Sequence, residues 1–354
     1  MTIYNQGGVN PSALTVPDLL INVQPPPVVA LNGVPSNIAG IVGTATWGPV
    51  NSPVRLGGLA DFNQQIGTVQ NRKYDGGTAL VIAQQLGANN FRFVRVTDGT
   101  DTAATVVILT TCLTVTSKYS GSRANTDKVI VGPGTAPASF KVTISRPNQA
   151  PETFDNITGS GNAVWVAMAN AINNGQSAQR GPSQFVVATA GVGTTVPATA
   201  SYTLAGGTDG AATITGSVLV GSDGSPRTGM YCLRGTGCAL AMLADCDDST
   251  TWGTQLLFAR SETLQMVAVS PASDTISNIA TTNTNDDPWL KVIFGDWVYW
   301  LDTINGIVRL VSPQAFYLGL KIQIGFEDRA LNKQLPPVVG TQKSYLNQVY
   351  GPAD

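Results

Sequence analysis

The sequence contains no histidine, and glutamate occurs at only three positions, Glu152, Glu262 and Glu327. The absence of histidine excludes a Ser-His-Asp or Cys-His nucleophile, an imidazole acid or base, and any zinc site with a histidine ligand. Proton transfer in an enzyme would fall to aspartate or lysine. The sequence therefore predicts no catalytic residue, no metal site and no cofactor.

Charge of either sign is scarce. Charged residues make up 12% of the chain, and 20 basic against 22 acidic side chains give a formal net charge of −2. This balance argues against direct binding of nucleic acid or of an anionic membrane. Two compatible explanations of the deficit stay open: a β-rich protein with many Thr and Gly residues, or a surface that contacts other subunits, because interface cores are depleted in charge.

Long apolar runs and Cys-x-x-Cys pairs are also missing. No run approaches the roughly 20 residues that span a bilayer. The first residues lack the basic and apolar segments of a secretory leader. We therefore expect that the protein is made in the cytoplasm and does not insert into a membrane. We expect free thiols packed as small apolar groups, although a disulfide between Cys232 and Cys238 stays open. The cysteines are Cys112, Cys232, Cys238 and Cys246.

Residues 38–96 give the clearest secondary-structure pattern. The apolar run from Ile38 to Thr44, interrupted by two glycines, predicts a buried strand that neighbouring backbone approaches closely. Residues 78–86 predict a helix that stops at a glycine, and residues 91–96 alternate as a strand does. This strand, helix and strand indicate an α/β unit.

Residues 1–37 predict an extended arm, because six prolines preclude a long helix. Between the prolines lies one strand that needs a partner sheet, either in its own chain or on a neighbouring subunit. Composition alone favours pairing with a sheet of its own chain. The residues of this strand are Asp18, Leu19, Leu20, Ile21, Asn22, Val23 and Gln24.

Residues 100–212 form a distinct block. The segment 206–210, Gly-Gly-Thr-Asp-Gly, closes it. This segment lacks the alternating carboxylates of a calcium loop and predicts a plain turn. An amphipathic helix is predicted over 162–173. Strands separated by Gly, Pro, Ser and Thr are predicted over 106–109, 113–116, 128–131, 140–145 and 185–188.

Residues 213–354 alternate between helices and strands, as the second part of an α/β core would. Two apolar strands, over 289–300 and 306–311, surround a hairpin turn at 302–306. A further strand is predicted over 264–270. Helices are predicted over 250–262, over 272–281 and from Pro313 onward.

Aromatic side chains crowd the first of these strands, at Trp289, Phe294, Trp297, Tyr299 and Trp300. Packing in a core or an interface is the favoured interpretation, because Lys291 is the only basic residue among them. The alternative is a carbohydrate-binding or depolymerising protein. In that case Trp289, Trp297 or Trp300 would stack on a sugar, with Asp296 and Asp302 as paired carboxylates.

The order of several short motifs resembles the contractile tail sheath proteins of phages and related injection systems. No single motif is decisive, but their order is fairly specific. The matching segments are 18–24, Gly43 to Pro49 (Gly-x-Ala-x-x-Gly-Pro), 113–121 followed by Asn125, 154–157, 204–210, 311–313 and 338–344.

The resemblance implies an α/β (α+β) core domain with an inserted β-rich domain and an extended N-terminal arm. Residues 1–37 would be the arm, 38–99 and 213–354 the two parts of the core domain, and 100–212 the outward-facing insertion. It also implies that residues 18–24 add a strand to a neighbour's sheet, which reverses the preference from composition.

As a function, the resemblance implies a structural subunit of the virion, assembled in the host cytoplasm. The subunit would polymerise helically around a tail tube and contract to drive that tube through the host envelope. Its partners would be other copies of itself, the inner tail tube protein, the baseplate and the tail terminator. A baseplate or other tail protein of the same fold is the alternative. The family usually continues well beyond residue 354, so we expect the C-terminal arm to be missing.

Overall fold

The computed structural model describes residues 36–177, 180–293, 297–325, 328, 330, 335 and 338–341. The helices in this part of the chain are α1 (Leu59–Gln65), α2 (Gly76–Gln85), α3 (Asn162–Asn174), α4 (Gly216–Val220), α5 (Trp252–Glu262), α6 (Ile276–Thr282) and α7 (Gln314–Ile324). The strands are β1 (Ala39–Gly43), β2 (Pro53–Leu56), β3 (Phe91–Arg95), β4 (Thr105–Ile108), β5 (Leu113–Ser117), β6 (Lys128–Pro133), β7 (Phe140–Ser145), β8 (Glu152–Ile157), β9 (Val186–Ala190), β10 (Ala200–Thr203), β11 (Leu240–Leu243), β12 (Gln265–Val269), β13 (Leu290–Ile293), β14 (Val298–Asp302), β15 (Ile307–Val311) and β16 (Val338–Thr341).

The central sheet has six strands in the order β13-β12-β11-β1-β3-β2. The first five run parallel, and β2 joins β3 antiparallel at the edge. Ile41 of β1 lies opposite Met242 on one side and Phe93 on the other. Parallel strands need cover on both faces, which explains why β1 and β11 are apolar along their whole length.

Helices cover both faces of this sheet. Successive strand residues point to opposite faces, so Ile41 packs in the cluster that contains α1, α2 and α7. Its neighbour Val42 packs in the cluster that contains α4 and α5. The predicted α/β core is therefore confirmed, and we use the word core for this sheet and its helices.

Two glycines in β1 allow the close packing that the sequence predicts. A Cβ atom on Gly40 would lie 2.9 Å from the Cβ of Ala241, and one on Gly43 would lie 2.9 Å from the Cα of Gly76. These distances are shorter than van der Waals contact, so a side chain at either position would push β1 away from β11 or from α2.

The elements β4 to β10 with α3, residues 105–203, form what we call the β-rich region. They make two antiparallel sheets in the orders β10-β6-β7-β8 and β4-β5-β9. Phe154 and Trp165 are fully buried in a hydrophobic cluster of their own. The five predicted strands are confirmed. β8 and β10 were not predicted. β8 carries polar residues at four of its six positions, and none of the four residues of β10 is buried.

A fourth sheet has the order β15-β14-β16. The hairpin of β14 and β15 confirms the predicted turn at 302–306. The prediction of a single strand over 289–300 is wrong. β13 ends at Ile293 as a parallel neighbour of β12, and β14 starts at Val298 as an antiparallel neighbour of β15, so the run divides between two sheets.

The predicted arm strand, Asp18 to Gln24, lies outside the described residues. All four cysteines are buried free thiols, as expected. Among the helices of the described ranges, none has the length and apolar character needed to cross a membrane.

Candidate functional site

The central sheet has a topological switch point between β1 and β11. The chain leaves β1 through α2 towards β3 on one side, and leaves β11 through α5 towards β12 on the other. Open parallel sheets bind ligands in the crevice at the carboxyl ends of such strands. Here the loop before α2 is hydrogen-bonded to the residue after β1: Thr44 N donates to Tyr74 O at 2.8 Å and Gly76 N donates to Thr44 O at 3.0 Å.

Charged side chains in the same crevice are engaged with one another. The buried carboxylate of Asp75 caps α2, and its Oδ2 accepts hydrogen bonds from Thr78 N at 2.8 Å and from Gln70 N at 3.1 Å. Burial raises the pKa of Asp75 to about 6. Lys73 Nζ lies 2.8 Å from Asp247 Oδ1, beyond the end of β11. These hydrogen bonds and this ion pair hold the loop before α2 in place.

The alternative sugar site is not assembled. Trp300 is fully buried and donates from Nε1 to Gln85 Oε1 at 3.1 Å, and Trp297 is 8% exposed. Asp302 is buried and accepts a hydrogen bond from Arg309 Nε at 2.9 Å. Trp289 is 37% exposed and Asp296 lies outside the described residues. A stacking platform that uses Trp300, with Asp302 as a catalytic carboxylate, is therefore ruled out by burial.

Asp302 instead organises the hairpin. Its Oδ1 accepts hydrogen bonds from the backbone N–H groups of Ile304 and Asn305, both at 3.1 Å. Arg309 then reaches from Asp302 to Thr78, with Nη2 2.6 Å from the Thr78 hydroxyl. The carboxylate thus fixes the turn and ties the hairpin to α2.

The outer face of the fourth sheet, formed by β14, β15 and β16, is apolar and exposed. Tyr299 and Leu301 of β14 are 41% and 45% exposed, while Val308 of β15 and Val339 of β16 are 54% and 57% exposed. Leu301 pairs directly with Val308, so their side chains share a face. We call this set of four side chains the apolar sheet face. Exposed apolar patches mark interaction surfaces.

Sequence reasoning missed this face. Residues 298–302 alternate between buried and exposed positions, but the exposed positions hold Tyr and Leu instead of polar residues. Periodicity alone cannot show which of two apolar sets faces outward. β15 and β16 are the outermost strands of this sheet among the described residues.

A buried arginine joins the core to the β-rich region. Arg95, the last residue of β3, has no exposed surface. Its Nη1 donates to Gly48 O at 2.8 Å and to Ser120 O at 2.7 Å, and its Nη2 donates to Asp209 O at 3.1 Å. One side chain therefore connects the end of a central strand to the loop after β5, within the β-rich region, and to the segment that follows β10.

The turn 206–210 takes part in the same junction. The Asp209 carboxylate lies 2.7 Å from Arg72 Nη1 and accepts a hydrogen bond from Ser122 N at 2.7 Å. Within the described ranges there is no group of three or more Cys, Asp or Glu side chains placed to hold a metal ion. The turn thus acts as a structural connection.

Comparisons with known proteins match this chain by structure only. No protein-family model matches the chain, and no curated protein matches its sequence. A sheath tail protein from Desulfitobacterium hafniense superposes with a TM-score of 0.62 at 16% identity, over 93% of this chain and 68% of that chain. A sheath tail protein from Listeria innocua gives a TM-score of 0.61 at 14% identity, over 88% of this chain and 62% of that chain.

The similarity extends over most of this chain but over only about two thirds of each solved one, 68% and 62%. It therefore includes the central sheet together with most of the other described elements. The motif order found in the sequence points to the same group of proteins. The chain has the fold of the sheath tail proteins.

Proposed function

We propose that this chain is a structural subunit of a contractile phage-tail sheath, which polymerises helically around the tail tube and contracts to drive the tube through the host envelope. The fold shared with sheath tail proteins over 93% of the chain carries this proposal.

The contacts between subunits use the apolar sheet face and the open edges of the fourth sheet. A strand that adds to a sheet edge gains backbone hydrogen bonds without requiring a particular sequence. In this proposal residues 18–24 of one subunit supply that strand to a neighbour. Repetition of such a heterologous contact produces an open helical assembly.

The layout of the subunit follows from the same proposal. Residues 38–99 and 213–354 form the core domain, and residues 100–212 form an inserted domain that faces away from the tube. The partners are other copies of the chain, the inner tail tube protein, the baseplate and the tail terminator. The subunit belongs to the virion, is assembled in the host cytoplasm, and neither inserts into a membrane nor binds nucleic acid directly.

Electron microscopy of the full-length product tests the proposal. We expect hollow tubes whose inner diameter matches the tail tube, especially when the tube protein is co-expressed. Compact monomers under every ionic condition would contradict it. Pull-down with the tube protein separates a sheath from a baseplate protein of the same fold, because a sheath binds along the whole length of the tube.

A further inference from the structure

Two carboxylates, Asp302 in the hairpin of the fourth sheet and Asp209 in the turn 206–210, are bonded in the same way. Oδ1 of Asp302 accepts hydrogen bonds from two amides of its own turn, and Oδ1 of Asp209 accepts one from a backbone N–H group that follows β5. Oδ2 of Asp302 lies 2.9 Å from Arg309 Nη2. Oδ2 of Asp209 lies 2.7 Å from Arg72 Nη1. Each carboxylate therefore holds backbone with one oxygen and an arginine with the other.

The first turn of α2 and its N-cap lie between these two arginines. Arg309 Nη2 lies 2.6 Å from the Thr78 hydroxyl oxygen, which lies 2.7 Å from Asp75 Oδ2. Because a guanidinium can only donate, the hydroxyl accepts from Arg309 and donates its own proton to Asp75. On the other side Arg72 Nε lies 3.9 Å from Asp75 Oδ1, three positions along the chain. The two arginines are thus held by neighbouring groups of one helix end.

These contacts form one uninterrupted series, which we call the polar chain. Its charged members alternate in sign, and its contacts join segments that lie 231 and 137 positions apart in the sequence. Its three carboxylates are buried or nearly so, and a charge in such surroundings is costly without its partner. In order, the members of the polar chain are Asp302, Arg309, Thr78, Asp75, Arg72 and Asp209.

Arg72 has donors to spare. Its Nε and Nη2 are buried without a hydrogen-bond partner, and so is the Asp75 oxygen that faces it, Oδ1. A hydroxyl that accepts from a guanidinium is a stronger donor, so Asp75 loses stabilisation when Arg309 leaves Thr78. Arg72 can then turn towards Asp75, and it weakens its contact with Asp209 as it does so.

We propose that the polar chain couples the hairpin of β14 and β15 to the turn 206–210, so that loosening either end loosens the other. The hairpin also carries Leu301 and Val308 of the apolar sheet face. If a neighbouring subunit covers that face, which rests on the proposed function, the contact is transmitted to the β-rich region. The coupling itself lies within one molecule and stands whether or not the protein assembles.

Hydrogen–deuterium exchange resolved to single amides, measured on the unassembled full-length protein at pH 7, tests the coupling. Asp302→Asn keeps an oxygen for the turn amides but removes the charge that holds Arg309. At the far end, the amide of Ser122, which donates to Asp209, should exchange about fivefold faster. The amide of Ser183, bonded within the β-rich region, should exchange as in the wild type and excludes global destabilisation.

Thr78→Val and Thr78→Ser show whether the effect passes through the polar chain. Valine has no hydroxyl, so Asp302→Asn should no longer change the exchange of Ser122 in the Thr78→Val protein. Serine keeps the hydroxyl and should retain the full effect. Asp287→Asn is the matched control, because it removes a carboxylate from an Arg–Asp pair outside the polar chain and should leave Ser122 unchanged.

The reverse experiment uses Asp209→Asn. It should speed the exchange of the amides of Ile304 and Asn305, because coupling is reciprocal. Circular dichroism checks the folding of each variant, and if one asparagine variant does not fold, the other direction decides. Unchanged exchange at the far end, equal acceleration at Ser183, or an effect of Asp302→Asn that persists in Thr78→Val would overturn the proposal.

Discussion

Arg95 bears a positive charge at a position with no exposed surface, and its Nη1 and Nη2 donate to three backbone carbonyls. We predict that Arg95→Met lowers the free energy of unfolding by about 3 kcal/mol, because the carbonyls of Gly48, Ser120 and Asp209 lose their donor. Urea denaturation measures this loss.

Arg55→Met is the matched control for this substitution. Arg55 lies exposed on β2, and exposed substitutions usually change stability by less than about 0.5 kcal/mol. Equal losses from the two variants would mean that the junction between the core and the β-rich region does not depend on the buried guanidinium.

Asp75 gives the stability a defined pH dependence. Burial raises its pKa in the folded protein to about 6, above the ordinary value of 3.8, so the folded state binds the proton more tightly than the unfolded chain does. The contribution of Asp75 to the free energy of unfolding is therefore largest below the pKa that this group has in the unfolded chain. It is lost as the pH rises through the pKa that the group has in the folded protein. Between pH 8 and pH 5 the wild type should gain about 1 kcal/mol relative to Asp75→Asn.

Urea denaturation of both proteins at pH 5, 6, 7 and 8 gives this difference in the free energy of unfolding. The contributions of carboxylates that both proteins contain cancel in the comparison. A difference that stays constant over this range would show that Asp75 does not titrate there. Asp98→Asn serves as the control, because hydrogen bonds from Thr100 and Thr213 hold the pKa of Asp98 well below its usual range. That variant should show no pH-dependent difference above pH 5.

At the scale of elements, the fourth sheet carries the prediction about assembly. Val308 is exposed on the apolar sheet face, so Val308→Lys should leave the monomer folded while it prevents association, because a buried unpaired charge in an interface is costly. Sedimentation velocity and electron microscopy measure association, and circular dichroism measures folding.

Val187→Lys in β9 is the matched control, because Val187 is 45% exposed and lies in the β-rich region, away from that face. It should assemble like the wild type. If Val308→Lys formed tubes as readily, the apolar sheet face would not be a contact between subunits.

The sequence predicted the elements whose pattern is local. β1, α2 and β3 could be predicted because a strand, a glycine-terminated helix and an alternating strand each have their own periodicity. β11 could not, since Leu240 to Leu243 contains no β-branched residue and becomes a strand only between β1 and β12.

Local sequence patterns could not predict the junction at Arg95 or the buried ion pair of Arg146 and Asp127, and the reason is different. Arg95 meets a carbonyl 114 residues away at Asp209, and Arg146 lies 19 residues from Asp127 with rings from two further segments around it. Such contacts depend on the arrangement of whole elements. The glycines of β1 did predict a tertiary contact from the sequence, because a glycine inside a strand indicates that a neighbouring backbone approaches closely.

At the scale of the whole molecule, assembly should depend on the arm strand. We predict that Ile21→Pro prevents tube formation, because proline removes a backbone donor from the middle of the strand over 18–24. The monomer should remain folded, since the four sheets of the described residues are built from residues 39 onward. Electron microscopy of the full-length protein measures the effect.

Ala13→Pro, in the same arm but outside the strand, is the control and should leave tubes intact. Normal tubes from Ile21→Pro would show that residues 18–24 do not donate a strand to a neighbour. Loss of tubes from both variants would point to the arm as a whole instead of to that strand.

The chain enters and leaves the β-rich region at adjacent points. Asp98 N donates to Gly210 O at 2.8 Å, and Thr102 N donates to Thr208 O at 3.3 Å. Closely spaced ends are the condition under which one domain can replace another within a host chain. The core can therefore accept a foreign domain whose own termini lie about 5 Å apart, grafted between residues 98 and 210. If the chain polymerises as proposed, that domain would be displayed on every subunit.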